Sequence, residues 1–179
     1  MYFYHINVKA KFHFLKSILL DLKIKIINAK QVTRISIVHP TMNYTNKWNK
    51  IILVDDDVVT NHVHKKLINH LGFEGEVVSL PDGSQAMNYI SSSIEKPQPR
   101  KRGEKELVLL DLHMPKTNGW NFLQQFMKFD KRTKNKFRIV MISSSIHPDD
   151  IDPITKIPEI QEYIIKPISV DHMKKLIYG

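Results

Sequence analysis

Leu107-Val-Leu-Leu-Asp-Leu-His-Met-Pro-Lys-Thr-Asn-Gly119 is an apolar run that stops at an acid and then turns. A short run of Leu and Val fits a strand buried on both faces, as in a parallel sheet covered by helices. Asp111 then stands where the strand leaves the core, the place at which open α/β sheets carry their chemistry. Taken alone, this acid has two readings. It caps the turn for which Pro115 and Asn118-Gly119 already supply the chemistry, or it is a reactive carboxylate.

Outward from this stretch, strands and helices alternate from about Trp48 onward. Ile51-Ile-Leu-Val54 reads as a buried strand ending in Asp55-Asp56-Asp57. Val63, Leu67 and Leu71 recur four apart in the helix that follows, and Gly72 is its stop. Gly75 to Leu80 is a weaker strand, Pro81-Asp82-Gly83 turns the chain, and Ala86, Met87 and Ile90 mark a helix to about Ile94. Beyond Gly119, Phe122, Leu123, Phe126 and Met127 predict a helix with a core-facing stripe. Phe137 to Ile142 is a fourth strand, ending in Ser143-Ser144-Ser145. A helix over residues 149–156 should be short, bent or shifted, because Pro153 lacks an amide donor and clashes with the preceding turn. Gln161 to Ile165 is a fifth strand ending in Lys166-Pro167. Ser169 can cap a last helix carrying Val170, Met173, Leu176 and Ile177. Five β-then-α units predict an α/β fold, a doubly wound five-stranded parallel sheet with right-handed crossovers.

Composition bounds the rest. At 179 residues the chain has room for one domain with a full core and not for two ordinary ones. Without cysteine there is no disulfide framework and no thiolate metal site, which suits a reducing cytoplasm. The formal charge of +9 is uneven: residues 1–41 hold seven Lys/Arg and one Asp, leaving +3 for the remainder. Phe12, Leu15, Leu19, Leu22 and Ile26 recur at helical spacing among lysines, so this segment reads as a basic amphipathic helix able to touch an anionic membrane surface. The other reading is that Met42 is the true start. Its lysines and Asp21 interrupt any span or signal-peptide core. We therefore divide the chain into a basic N-terminal extension, 1–47, and a folded domain, 48–179. Residues 96–103, with two prolines and four cations, read as a solvated loop, and no nucleic-acid recognition motif accompanies the charge.

Four of the five strands end in a polar group: Asp55 and Asp56, Asp111, Ser143, Lys166. In a parallel sheet these ends share one edge. Carboxylates within a few ångströms of one another resist ionising together, and a divalent oxygen-seeking cation removes the difficulty. Mg²⁺ takes a few carboxylates, water and a phosphate oxygen. Three carboxylates, Mg²⁺ and the Lys166 ammonium sum to zero, so an incoming phosphoryl group meets no net repulsion. Asp111 can then attack phosphorus, while Lys166 and the Ser143 hydroxyl hold its oxygens.

Leu53-Val-Asp-Asp-Asp57, Asp111-Leu-His-Met-Pro115 with Asn118-Gly119, Ile142-Ser143 and Tyr163-Ile-Ile-Lys-Pro167 match, in order, the motifs of response-regulator receiver domains. Residues 48–179 resemble the stand-alone CheY-like kind. The resemblance implies strand order 2-1-3-4-5, a fold the handed-crossover argument permits. It also implies that Asp111 is the phosphoacceptor, that Asp55, Asp56 and the backbone carbonyl of His113 hold Mg²⁺ with it, that Ser143 is the switch hydroxyl, and that Lys166 contacts the phosphate. Tyr163 matches an aromatic that turns inward in active receivers, and the Lys166–Pro167 bond is usually cis in the family. His113 and Ser145 fall at positions that tune dephosphorylation. The implied partners are a sensor histidine kinase or histidine phosphotransfer protein and a downstream protein target.

A haloacid-dehalogenase-type phosphatase is the alternative, because Asp55-Asp56-Asp57-Val58-Val59 meets its Asp-x-Asp motif. That family needs a further acidic metal-binding motif after the lysine. The 13 residues after Lys166 contain only Asp171, and the alternative leaves Asp111 without a role.

Overall fold

The computed structural model describes residues 47–95, 105–115 and 117–179. The helix expected within residues 1–41, the alternative start at Met42 and the basic loop at 96–103 lie outside the described residues. The elements run β1 (Trp48–Val54), α1 (Val58–His70), β2 (Glu76–Leu80), α2 (Gly83–Glu95), β3 (Lys105–Asp111), α3 (Gly119–Phe126), α4 (Lys131–Lys134), β4 (Phe137–Ser143), α5 (Pro148–Thr155), β5 (Ile160–Ile165) and α6 (Val170–Tyr178). All strand pairs are parallel, in the order β2-β1-β3-β4-β5, as expected.

The period-2 alternation of the central strands divides the core in two. Ile52 and Val54, Val108 and Leu110, and Ile139 and Met141 face one way, against Ala86, Met87 and Ile90 of α2, Phe122, Leu123 and Phe126 of α3, and Ile154 of α5. Ile51, Leu53, Leu107, Leu109, Val140 and Ile142 face the other way, against Ile68 of α1 and Met173, Leu176 and Ile177 of α6. This is why β1, β3 and β4 read as continuous apolar runs: both faces are dry. Phe126 is the hub of the first face. Its ring stacks on Phe122 and meets Phe129 and Phe137 edge-on, each at 5.9 Å between centroids. Full burial of such a ring contributes roughly 2–3 kcal/mol.

Three sequence expectations need correction. Met127, expected in the stripe of α3, is 37% exposed because the helix ends at Phe126 and Met127 is its C-cap. On α1 the buried residues are Asn61, His64 and Ile68, whereas Leu67 and Leu71 only flank the core. The apolar spacing was there, but two of the three buried positions are polar. Val170, expected on the apolar stripe of the last helix, is 41% exposed, since it occupies the first turn beyond the Ser169 cap. The helix around Pro153 is short, as anticipated. It runs Pro148–Thr155 and ends two residues past that proline.

Two local features fix the frame around the strand ends. The Trp48 indole donates to the Leu176 carbonyl at 2.7 Å, tying the first strand to the last helix. Gly119 starts α3 with its amide on the Leu112 carbonyl at 2.9 Å, and a Cβ there would stand 2.7 Å from the carbonyl oxygen of Asp111. Only a hydrogen fits in that gap. Gly119→Ala should therefore lower unfolding free energy by about 1–3 kcal/mol, read as an earlier denaturant midpoint. An unchanged midpoint would mean that the loop yields without strain.

His64 supplies a pH-dependent term. It is 8% exposed, and burial lowers its pKa from 6.5 to about 4, aided by Lys166 and opposed by Asp55 and Asp57. Below pH 6.5 the unfolded chain takes up a proton that the folded chain refuses until about pH 4, so stability falls across that window as the pH drops. The loss amounts to about 3 kcal/mol. His64→Leu should show a smaller loss of stability than the parent between pH 7 and pH 4, measured by urea unfolding at each pH. Equal losses in both proteins would exclude His64 as the source.

Candidate functional site

The parallel sheet brings the carboxyl ends of β1, β3, β4 and β5 to one edge, and the ladder continues just past the strands. The Asp55 amide bonds the Leu80 carbonyl at 3.1 Å, and the Lys166 amide bonds the Ser143 carbonyl at 2.8 Å. These backbone bonds hold Asp55 and Lys166 at the edge where β3 ends in Asp111. Lys166 Nζ lies 2.7 Å from Asp55 Oδ2 and 2.8 Å from Asp111 Oδ2, donating to both. The other oxygens are held by main chain: Asp55 Oδ1 accepts from the Asp57 amide at 2.8 Å, and Asp111 Oδ1 accepts from the His113 amide at 3.3 Å. Asp55 and Asp111 are buried and Asp56 is exposed, yet carboxylate oxygens of all three lie within 4.8 Å of one another.

Burial raises the Asp111 carboxyl above the ordinary aspartate range, and the negative charge of Asp55 adds to the rise against the pull of Lys166. Burial alone would lower Lys166, but the carboxylates of Asp55 and Asp111 outweigh it and hold the ammonium above the usual lysine value. Three acids against one lysine leave a formal charge of −2, which a divalent cation balances. Oxygen donors at this separation, with one acid open to solvent, suit a hard ion that keeps part of its water shell. The residues present therefore fit Mg²⁺.

The structure gathers Asp55, Asp56, Asp111 and Lys166 at this centre. Ser143 ends β4 beside it and is fully buried. Its Oγ accepts from the Ser145 amide at 3.1 Å and lies 3.2 Å from His113 Nδ1. Tyr163 packs against the first core face and its hydroxyl donates to the Ser145 carbonyl at 2.9 Å. The Lys166–Pro167 bond is cis.

Sequence reasoning missed Asn61, whose buried amide nitrogen donates to the Asp55 carbonyl at 2.7 Å and braces the first acid. The signal was present in the spacing of 61, 64 and 68, a helical stripe that includes two polar residues. It also missed Asp150, in the first turn of α5, which accepts from Ser145 Oγ at 2.5 Å and lies 3.7 Å from His113 Nε2. A cleft of about 450 Å³ lined by Lys131, Lys134, Arg138 and Glu159 sits where β4 and β5 begin, at the end of the sheet remote from these acids.

Asp57, the second acid of the phosphatase alternative's motif, caps α1: Oδ1 accepts from the Val59 amide at 2.9 Å and Oδ2 from the Thr60 hydroxyl at 2.9 Å.

Known proteins place the arrangement. The chain is 29% identical over 131 residues to the "Probable methanogenesis regulatory protein FilR2" of Methanothrix harundinacea, covering 71% of this chain and 77% of that protein. It is 24% identical to the "Probable C4-dicarboxylate response regulator DctR" of Bacillus subtilis, of which it spans 51%. Among solved structures, the phosphorylated cyanobacterial phytochrome response regulator RcpA is 27% identical, with a TM-score of 0.57 over 74% of this chain and 90% of RcpA. A two-component response regulator from Cytophaga hutchinsonii shares the fold at a TM-score of 0.63 and 24% identity, over 73% and 94% of the two chains. Residues 51–178 match the family model of the response regulator receiver domain, and with its motifs on the carboxyl edge of a 2-1-3-4-5 sheet, the chain belongs to that family of two-component signalling proteins.

Proposed function

We propose that Asp111 accepts a phosphoryl group from a histidine-phosphorylated kinase or phosphotransfer protein, and that the resulting change is read by a further protein. The observation that carries this reading is the Lys166 ammonium bridging Asp55 and Asp111 across the sheet, beside a third carboxylate. Asp55, Asp56, Asp111 and the main-chain carbonyl of His113 would hold Mg²⁺. The ion, when bound, neutralises charge on the phosphoryl oxygens and the acids.

In this reading an Asp111 oxygen attacks phosphorus, the P–N bond to the donor imidazole breaks, and the imidazole leaves with the electron pair and takes a proton from solvent. Lys166 turns from Asp111 to the incoming phosphoryl oxygen, and the Ser143 hydroxyl donates to another. Hydrolysis reverses the acyl phosphate: water adds to phosphorus and Asp111 leaves as carboxylate. The protein's part is positioning and charge stabilisation. Tyr163, bonded to the Ser145 carbonyl, would report the state of Ser143 to the surface around β5.

The receiver unit is residues 48–179 and residues 1–47 are a separate extension. In support, the family match starts at residue 51 and Trp48 is the first residue of β1. The site of action we propose is the cytoplasm, and among the described residues no helix is long and apolar enough to cross a membrane. Any membrane contact would come from residues 1–41.

Two experiments test this. Incubated with acetyl phosphate and Mg²⁺, the protein should gain one phosphoryl group by intact mass, with acetate released. Chelation of the metal or Asp111→Asn should abolish the gain. Phosphorylation retained by Asp111→Asn would remove Asp111 as acceptor. Separately, deletion of residues 1–41 should leave the thermal midpoint and the phosphorylation rate unchanged. Loss of either would make the extension part of the working domain.

A further inference from the structure

A hydroxyl has one proton to give, and the polar neighbours of Ser143 Oγ decide which group can receive it. Ser143 Oγ already accepts from the Ser145 amide at 3.1 Å. Its other close polar neighbour is His113 Nδ1 at 3.2 Å. The opposite ring nitrogen, Nε2, faces Asp150 Oδ2 at 3.7 Å, beyond hydrogen-bond distance. A carboxylate on that side favours the tautomer with its hydrogen on Nε2, which leaves Nδ1 as an acceptor for the serine. Asp150 is itself held by the Ser145 hydroxyl at 2.5 Å and stands in the first turn of α5.

We infer that His113 is a positioning residue for the switch: its imidazole, oriented by Asp150, holds the Ser143 hydroxyl and competes with the phosphoryl oxygen for that single proton. This rests on the reading of Asp111 as the acceptor and goes beyond any effect of His113 on phosphate lifetime. Ser143 cannot donate to both partners, so engagement of the phosphoryl group releases the imidazole. The same event frees Asp150 from its ring contact, and α5 feels the state of the site through its own first turn. The resting bond stabilises the unphosphorylated arrangement, so removing it moves the population toward the engaged one before any phosphate arrives.

The test uses the full chain with Mg²⁺ and beryllofluoride, a phosphoryl mimic that binds a carboxylate without turnover. His113→Ala keeps the main-chain carbonyl assigned to the metal and removes only the ring, whose side chain is 52% exposed. It should bind beryllofluoride about two- to tenfold more tightly than the parent, the worth of one hydrogen bond. Its ligand-free amide resonances of Ser145 and Asp150 should lie displaced along the line joining the parent's free and bound positions. A purely structural role would not produce that collinear shift. Asp150→Asn should act in the same direction with smaller effect, and add nothing to His113→Ala. Equal or weaker binding by His113→Ala, with the parent binding normally, overturns the inference. Failure of the parent itself to bind beryllofluoride with Mg²⁺ overturns the acceptor reading, and this one with it.

Discussion

The structure depends on one electrostatic constraint: two buried carboxylates, from the ends of β1 and β3, are kept together by a single ammonium from the end of β5. Charges of one sign in a poorly hydrated space repel strongly, and without Lys166 the edge would favour protonation or separation of the acids. The main chain contributes the rest. An amide donates to each acid, and the Asn61 side chain holds the carbonyl of Asp55. The parallel direction of the strands delivers all three ends to one side. With the exposed Asp56 counted as a third acid, the arrangement remains short of positive charge by two, and that deficit is what makes it receptive to a divalent cation.

What sequence alone made legible was whatever depends on the backbone period. The dry central strands were visible as apolar runs, and the acids, serine and lysine were visible because each interrupts such a run at its end. Asp111 became interpretable only through Asp55, Ser143 and Lys166. What stayed hidden depends on tertiary choice. Asn61 and His64 occupy the buried stripe of α1 in place of Leu67 and Leu71, because a site that needs bracing and a lysine nearby favours polar groups behind it. Met127 and Val170 matched the apolar spacing and lie exposed at helix ends, where a residue or two decides which side is dry. Asp57 satisfied an enzyme's motif in letters, and its geometry shows a helix cap. Asp150 offered no sequence signal, since its role depends on where the loop after β4 places it.

Polarity is also distributed by end. Acids concentrate where the strands finish, whereas Lys131, Lys134 and Arg138 line a cleft near where β4 and β5 begin. A helix-covered sheet leaves its two ends as the places where ionisable groups can cluster without entering the core.

Gly119 carries a mechanical consequence. Its backbone rests against the carbonyl of Asp111 with no side chain between them, and a contact of main chain on main chain has no rotamer with which to absorb movement. Asp111 and the start of α3 therefore form a stiff reference frame. On the opposite flank, Ser143 and His113 meet through side chains that can rotate, and the Tyr163 hydroxyl reaches the Ser145 carbonyl. Asp111 therefore stands between one wall of main chain and one wall built partly of rotatable side chains.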